Sequence, residues 1–155
     1  MKIHCKFDEL VDPASLVDFP KNPNTHTPQQ IAKLADLYAF HGIRHPIVMD
    51  LDRKVIAAGH GRKLAAIKAG ITQFPVVYQR FESDAALYAF VVSDNAISEM
   101  SEIDLGSIND AIIELGPDLD LDSLGLEDFT VDPAEKEEPK QPKKCPNCGW
   151  SKDNG

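Results

Sequence analysis

The chain has 155 residues, of which 43% are hydrophobic and 26% charged, and this suits one compact domain followed by a tail. No apolar run approaches the roughly 20 residues of a membrane-spanning helix, and the N-terminal residues lack a signal-peptide core. The net charge of −9 argues against an overall basic, nucleic-acid-binding surface, although a local basic site stays open. We therefore expect a cytoplasmic protein.

The first half of the chain predicts a short N-terminal strand, one helix and a pair of strands. In chain order the elements are a short strand and turn over 7–12 and 15–19, a helix from 28 to about 40, a strand over 46–49, a turn over 50–53 and a return strand over 54–58. Thr27 is a good N-cap with Pro28 at the first helical position. His41 and Gly42 form a typical C-terminal stop, so the bounds of this helix are well marked.

The second half predicts further helices around one strand. The elements are a helix over 62–69, a strand over 74–78, a helix over 83–92 and a short helix over 104–115. Ser83 and Asp84 begin the third helix, and Asp94 with Asn95 is expected to interrupt it. The order predicts a mixed α/β domain over 1–115, with a small mixed sheet flanked by helices.

The acidity of the chain is concentrated after this domain. Residues 106–134 contain eight Asp or Glu and no Lys or Arg, whereas residues 1–105 are nearly neutral. Leucines alternate with acids over 118–122, and Phe129 follows, which favours a short docking face for a protein partner. The charged, proline-bearing stretch up to 144 cannot bury enough apolar area to fold. We expect 116–144 to be a flexible acidic segment and linker.

Cys145 and Cys148 form one CxxC in the last segment, 145–155. This spacing is typical of a zinc knuckle, but one knuckle supplies two thiolates and a structural Zn²⁺ takes four ligands. Cys5, a histidine or the knuckle of a second copy in a homodimer are the alternatives for the rest. A tail with reduced cysteines and no metal is the simpler interpretation.

Residues 55–70, VIAAGHGRKLAAIKAG, carry most of the information about function. A β-branched run turns through Gly59 and Gly61 into a helix, and a helix N-terminus with close backbone approach is suited to binding a phosphate. Arg62 and Lys63 add side-chain charge there, and we expect Arg62 to be exposed. The plain alternative is a strand–turn–helix corner with two surface cations.

The order of several motifs resembles the ParB N-terminal domain, also called the ParB/sulfiredoxin fold, of the kind found in phages and mobile elements. The motifs lie within residues 8–115 and are, in order, PKNPNTH, HGIRHPIVMD, VIAAGHGRKLAAIKAG, FPVVY and AFVVSDNAISE. The resemblance implies a bacterial host cytoplasm and a role in DNA metabolism, with DNA or a DNA methyltransferase as a partner. No helix-turn-helix follows, so DNA reading of the partition kind is expected to be absent.

The resemblance also implies site residues. In partition proteins a Gly-Glu-Arg-Arg box binds the triphosphate of CTP, and residues 59–62 stand at those four places, with Arg62 as the best phosphate ligand. The Glu-Asn pair of that family, which helps hold Mg²⁺, matches Asp94 and Asn95. His60 stands at the position of the catalytic cysteine of sulfiredoxin, so reduction of sulfinic acid is not expected.

The candidate residues fall into three groups. The candidate catalytic residues are His60 and Asp94; the candidate nucleotide- or phosphate-binding residues are Gly59, His60, Gly61, Arg62, Lys63, Asn95, His26 and His45; the candidate metal ligands are Asp94 for Mg²⁺ and Cys145 and Cys148 for Zn²⁺. Asn22 is expected to satisfy turn backbone. We interpret the chain as a domain that binds a nucleotide such as CTP or ATP. The alternatives are a magnesium-dependent NTP hydrolase, phosphotransferase or nuclease, and a non-catalytic adaptor.

Overall fold

A computed structural model of the chain describes residues 1–100, 104, 106–108, 110 and 111. The elements are β1 (Glu9–Val11), a 3₁₀ helix (Pro13–Ser15), α1 (Pro28–His41), β2 (Ile47–Asp50), β3 (Ile56–Ala58), α2 (His60–Lys68), β4 (Phe74–Gln79) and α3 (Asp84–Glu99). The predictions for the acidic segment, for Cys145 and Cys148 and for most of the 104–115 helix lie outside the described residues. Among the described helices, none has both the length and the apolar character needed to cross a membrane.

The four strands form one mixed sheet in the order β1-β4-β2-β3. The central strands β2 and β4 run parallel, with Val48 opposite Val77, and α2 provides the connection between β3 and β4. Each outer strand pairs antiparallel with its neighbour, β1 with β4 and β3 with β2. The predicted fold class, a mixed α/β domain with a small mixed sheet, is confirmed.

The helices cover both faces of this sheet because side chains alternate along each strand. Ile56 of β3 belongs to the main core with residues of α1 and α2, whereas the next residue, Ala57, packs with Leu87 and Val91 of α3. The fully buried members of the main core are Ile43, Ile47, Ile56, Ala65, Ala66, Phe74 and Val76. β3 is therefore buried on both sides, and its C-terminal end opens between α2 and α3.

The bounds predicted for α1 are confirmed by its caps. Thr27 Oγ1 accepts the N–H of Gln30 at 3.1 Å, with Pro28 at the first position. Gly42 ends the helix at φ +70°, where a Cβ would lie 2.5 Å from the Lys2 carbonyl oxygen. Only glycine fits there, so the stop signal that the sequence carries has a steric cause.

Two predictions about helix bounds are wrong. Asp94 and Asn95 do not interrupt the third helix, because α3 runs unbroken to Glu99 and the Asn95 side-chain amide donates to the Val91 carbonyl at 2.8 Å. α2 begins at His60, two residues earlier than expected. At the N-terminus, the regular strand is shorter than expected, and Val17 forms only an isolated bridge with Val55.

The turn between β2 and β3 is closed by a fully buried carboxylate. Asp50 Oδ1 accepts the backbone N–H groups of Asp52 and Arg53, and Oδ2 pairs with Arg53 Nη1 at 3.0 Å. Arg53 Nε also contacts Asp84 Oδ1 at 2.6 Å, at the start of α3. This network connects the hairpin to the start of α3, at the end of β3 that lies away from the Gly59 corner.

Candidate functional site

The strand-to-helix corner after β3 depends on Gly59. Its φ of +104° lies in the left-handed region, and a Cβ there would stand 3.1 Å from Arg62 Nη1 and 3.2 Å from Ile47 Cγ1. The first bond within α2 runs from the Lys63 N–H to the Gly59 carbonyl at 3.0 Å. A glycine N-cap has no side chain that could accept a hydrogen bond from the N–H groups of the first turn. The helix dipole adds a partial positive charge at this end of α2.

A cavity of about 180 Å³ lies at this corner. It is lined by Asn24, His26, Leu34, Ala57, Ala58, Gly59, His60, Gly61, Arg62, Asp94 and Asn95. The fold thus brings together residues from the loop before α1, from the corner and from the middle of α3. Seven of the candidate residues named above are among them, and they reach this point from three separate stretches of the chain.

His26 packs directly on the first turn of α2. A Cβ at Gly61 would lie 3.0 Å from His26 Cε1, so the glycine makes room for the imidazole. The His26 ring is also held by Gln30, whose Oε1 lies 3.1 Å from Nδ1. Gly61 therefore serves a close side-chain approach, since its own backbone is regular helix.

Arg62 is half-buried, not exposed as expected. Its guanidinium Nη1 donates to the Pro46 carbonyl, and its own carbonyl accepts the Tyr38 hydroxyl at 3.3 Å. Burial lowers the pKa of Arg62, while the negative charge of Asp94 acts in the opposite direction. A guanidinium stays protonated in proteins, so Arg62 is a desolvated positive charge at the edge of the cavity.

His60 is engaged with the loop that precedes α1. Its Nε2 accepts the Phe19 N–H at 3.2 Å, which places the proton of the neutral ring on Nδ1. Burial lowers the pKa of His60; Asp18 acts against this, whereas His26 and Lys63 reinforce it. The neutral form is thus favoured, and its Nε2 lone pair is occupied by a backbone donor.

Two of the candidate residues lie outside the cavity lining. Lys63 Nζ pairs with Asp18 Oδ2 at 3.0 Å, and the side chain of Lys63 is only 11% exposed. His45 lines a neighbouring cavity of about 240 Å³ together with Tyr38, Arg44 and Arg62. Leu34 and Arg62 line both cavities, so the cavity that contains His45 adjoins the one at the Gly59 corner.

The donor set for a metal is small in the part of the chain that is described. Those residues contain no group of three or more His, Cys, Asp or Glu side chains arranged to hold an ion. Asp94 and Asn95 both line the cavity and would offer two oxygen atoms. Mg²⁺ is commonly held by one or two carboxylates together with substrate phosphates, so this pair fits only a metal that arrives with its ligand.

Sequence reasoning missed the groups that hold Arg62 and His60 in place. Their partners are the Pro46 carbonyl and the Phe19 N–H. Because both are backbone groups, which every residue type can offer, the residue types in the sequence do not indicate them. Leu34, which forms part of the lining, has the helical spacing of an ordinary core position. Asn22 has the turn role expected of it, since its Oδ1 accepts the Asn24 N–H at 3.2 Å.

No protein-family model matches the sequence, and no curated protein matches it. Among solved structures, the chain is similar to C-terminally truncated chromosome-partitioning protein ParB from Caulobacter crescentus complexed with CTP-gamma-S, at 20% identity and a TM-score of 0.54 over 62% of this chain and 55% of that one. The same protein complexed to the centromeric parS site matches at 18% identity and a TM-score of 0.50, over 63% and 51%. The match spans about half the length of those ParB chains, and it shows that this chain has a ParB-like fold.

Proposed function

We propose that the cavity at the Gly59 corner binds a nucleotide through its phosphates. The observation that carries the proposal is the glycine-capped N-terminus of α2 with the desolvated guanidinium of Arg62 beside it. Backbone N–H groups, the helix dipole and a guanidinium are all complementary to phosphate oxygens. The similar ParB structure that is complexed with CTP-gamma-S supports a nucleoside triphosphate as the ligand.

The size of the cavity supports a site for the phosphates and not for the whole nucleotide. Small-molecule sites usually measure about 300–1,000 Å³, and this cavity has only about 180 Å³. Sugar and base would therefore extend beyond it. His45 lines the adjoining cavity together with Arg62, a location that supports a contact with that remaining part.

Asp94 and Asn95, which both line the cavity, support a role for Mg²⁺ in nucleotide binding. A carboxylate beside bound phosphates would repel them unless a cation lay between, and Mg²⁺ prefers oxygen ligands from carboxylates and phosphates. We propose that Mg²⁺ enters with the nucleotide and that Asp94 supplies the protein oxygen. Binding of CTP or ATP should accordingly be tighter with Mg²⁺ than with a chelator present.

The decisive experiment is calorimetric titration of the full chain with CTP, ATP, GTP and UTP in the presence of Mg²⁺. Arg62→Ala should weaken binding of the preferred nucleotide by tenfold or more, because a charged phosphate contact contributes roughly 1.5–3 kcal/mol. Lys68→Ala removes a positive charge at the far end of the same helix and is the matched control, with an expected change below about twofold. Absence of binding by the wild type for every nucleotide would refute the proposal.

Folding of Arg62→Ala needs its own check, because the substitution also removes the bond to the Pro46 carbonyl. Circular dichroism melting serves this purpose. Arg62→Lys keeps the charge but loses the planar fork of donors. It should bind more weakly than the wild type and more tightly than Arg62→Ala.

We further propose that the domain acts in association with DNA. The support is the similar ParB structure complexed to the parS site. A protein that neutralises DNA phosphates shows affinity that falls steeply with salt. Fluorescence anisotropy of labelled duplex DNA at 50 and 200 mM salt, with and without CTP, tests this. We propose more narrowly that the chain is an accessory protein of a phage or mobile element. Its partner would be a DNA methyltransferase, another protein or a second copy of this chain. The sequence resemblance is the support for this narrower proposal.

For the C-terminal cysteines we propose Zn²⁺ shared between two chains. Cys145 and Cys148 supply two thiolates of the four ligands that a structural zinc takes. Elemental analysis of purified protein should then give one zinc for every two chains, together with a dimer in solution. One zinc per chain would instead point to Cys5 or a histidine as the remaining ligands.

A further inference from the structure

The loop before α1 supplies one wall of the cavity and is attached to α2 at two points. Asn24 and His26 of this loop line the cavity. Its start is fixed to the sheet, because the Ile56 N–H donates to the Val17 carbonyl at 2.9 Å. Next along the loop, Lys63 of α2 holds Asp18 and His60 holds the Phe19 N–H.

Local bonds pass the position of Phe19 on to the cavity wall. The Asn22 N–H donates to the Phe19 carbonyl at 3.1 Å, and the Asn24 N–H donates to Asn22 Oδ1 at 3.2 Å. His26 then packs against Gly61 in the first turn of α2. Two short-range bonds therefore couple the position of Asn24 to that of Phe19, and His26 lies two residues further along the same loop.

We propose that His60 is a positioning residue: by accepting the Phe19 N–H on Nε2, its neutral imidazole holds the 17–26 loop over the cavity and so sets the affinity for the nucleotide. The inference rests on the proposed function, because its readout is binding at that site. It assigns His60 a different role from the catalytic acid or base considered from the sequence. As long as Nε2 accepts this bond, its lone pair is not available as a base.

Protonation would release the loop, because an imidazolium donates at both nitrogens and accepts at neither. The charged and titratable groups around His60 are Asp18 and Lys63, which pair with each other, and His26 across the first turn. Asp94 lines the same cavity from α3. Of these, Asp18 favours the imidazolium, whereas burial and the two basic groups favour the neutral ring that keeps the bond intact.

The test compares His60→Ala and His60→Gln with the wild type by calorimetry at pH 7.5 and 5.5, using CTP with Mg²⁺. His60→Ala should bind about threefold to tenfold more weakly at pH 7.5, since it removes one hydrogen bond that orders the loop. His60→Gln keeps an acceptor in its side-chain carbonyl and should bind within about twofold of the wild type. His4→Ala, at an exposed histidine outside the cavity, is the control with no expected change.

The acid response separates positioning from general loss of structure. Wild-type affinity should fall more between pH 7.5 and 5.5 than that of His60→Gln, which cannot be protonated, and the excess is the contribution of His60. Equal pH dependence in the two proteins would overturn the inference. Wild-type affinity in His60→Ala would also overturn it, while leaving the proposed function intact.

A nucleotide-free measurement keeps the two proposals distinguishable. In ¹⁵N NMR of the wild type at pH 7.5, His60 Nε2 should have the shift of an unprotonated acceptor, and the Phe19 amide should exchange slowly with solvent. In His60→Ala that amide should exchange faster at the same pH. A protonated Nε2 or an unprotected Phe19 amide would overturn the inference, whereas no nucleotide binding by a wild type with both signatures would overturn the proposed function.

Discussion

The polar groups at the two ends of β3 differ in whether they have hydrogen-bond partners from nearby side chains. At its start, the Asp50 carboxylate is fully buried and is bonded to two backbone N–H groups and to Arg53. At its end, Gly59 caps α2 with no side-chain acceptor and opens on a cavity. The short strand thus separates a turn whose carboxylate is bonded within the protein from a corner whose first helical N–H groups receive no side-chain acceptor from the cap.

This contrast shows where the domain gains stability and where it can gain a ligand. A buried carboxylate needs every one of its partners, so the Asp50 carboxylate has a structural role. A helix N-terminus capped by glycine lacks the side-chain contact of a Ser, Thr, Asn or Asp cap, at a cost of only about a few tenths of a kcal/mol. The corner recovers that contact when an anion binds there.

The largest expected effect is at the turn. Asp50→Ala should lower the free energy of unfolding by roughly 1–3 kcal/mol, because it leaves two turn N–H groups without their acceptor and leaves Arg53 with Asp84 as its remaining carboxylate partner. Urea denaturation followed by circular dichroism measures this. The control is Asp84→Ala, which removes the other carboxylate on Arg53, at a side chain that is 91% exposed. Its effect should stay below about 1 kcal/mol.

An Asp50→Ala protein that does not fold would leave no measurable transition, and Asp50→Asn then replaces it. The amide oxygen still accepts the two turn N–H groups, but the charge opposite Arg53 is gone. Its loss of stability should exceed that of Asp84→Ala. Equal losses would contradict the distinction drawn between the buried and exposed carboxylates.

Gly59→Ala should act on the corner by strain and by crowding together. A non-glycine residue in the left-handed region costs about 1–2 kcal/mol, and the Cβ would press on Arg62 Nη1. Gly70→Ala is the matched control, because Gly70 has φ +68° and a Cβ added there would meet no atom within 4 Å. Both variants should lose stability in urea denaturation, but only Gly59→Ala should also lose nucleotide affinity in calorimetry.

Gly61→Ala should separate binding from stability. Gly61 is in regular helix, where alanine is favoured by up to about 1 kcal/mol, so the fold should keep its melting temperature within a few degrees. The new Cβ would displace the His26 ring, which lies 3.0 Å away. We expect nucleotide affinity to fall severalfold in the same titration. A fall in stability without a change in affinity would contradict the placement of His26 in the site.

The smallest expected effect is the contribution of His60 to the pH dependence of stability. The pKa of His60 is lower in the folded protein than its ordinary value, so the unfolded chain binds the proton more readily. The free energy of unfolding therefore rises as the pH increases from the lowered pKa to the ordinary one. The contribution is complete above the ordinary histidine pKa of about 6.5 and is lost as the pH falls below it. Urea denaturation at pH 7.5 and 5.5 should show a smaller difference for His60→Gln than for the wild type.

The fold could be predicted from the sequence where local signals act alone. Thr27, Pro28 and Gly42 mark α1 through capping contacts within a few residues of each other, and the structure has the same bounds. The third helix shows the reverse. Asp and Asn have low helix propensity, which favoured a break, yet packing of Leu87 and Val91 against β3 holds the helix to the sheet.

The site could be predicted only to the level of its residue types. Gly59 and Arg62 stand out because a glycine corner and a cation are visible in the sequence. That Arg62 is half-buried could not be predicted, because its partner is the carbonyl of Pro46, 16 residues away. The pairing of Lys63 with Asp18 was missed for the same reason, since 45 residues separate the two.

The cavity draws its walls from residues 24–34, 57–62 and 94–95, and this has a thermodynamic consequence. The three stretches belong to the loop before α1 and α1 itself, to β3 with α2, and to α3, so the complete site forms only when the sheet and all three helices are in place. A ligand that binds there stabilises the whole domain against unfolding, by about 2.7 kcal/mol at a concentration of 100 times its Kd. Melting temperature thus reports occupancy, and a screen by thermal shift needs no knowledge of what the domain does with its ligand.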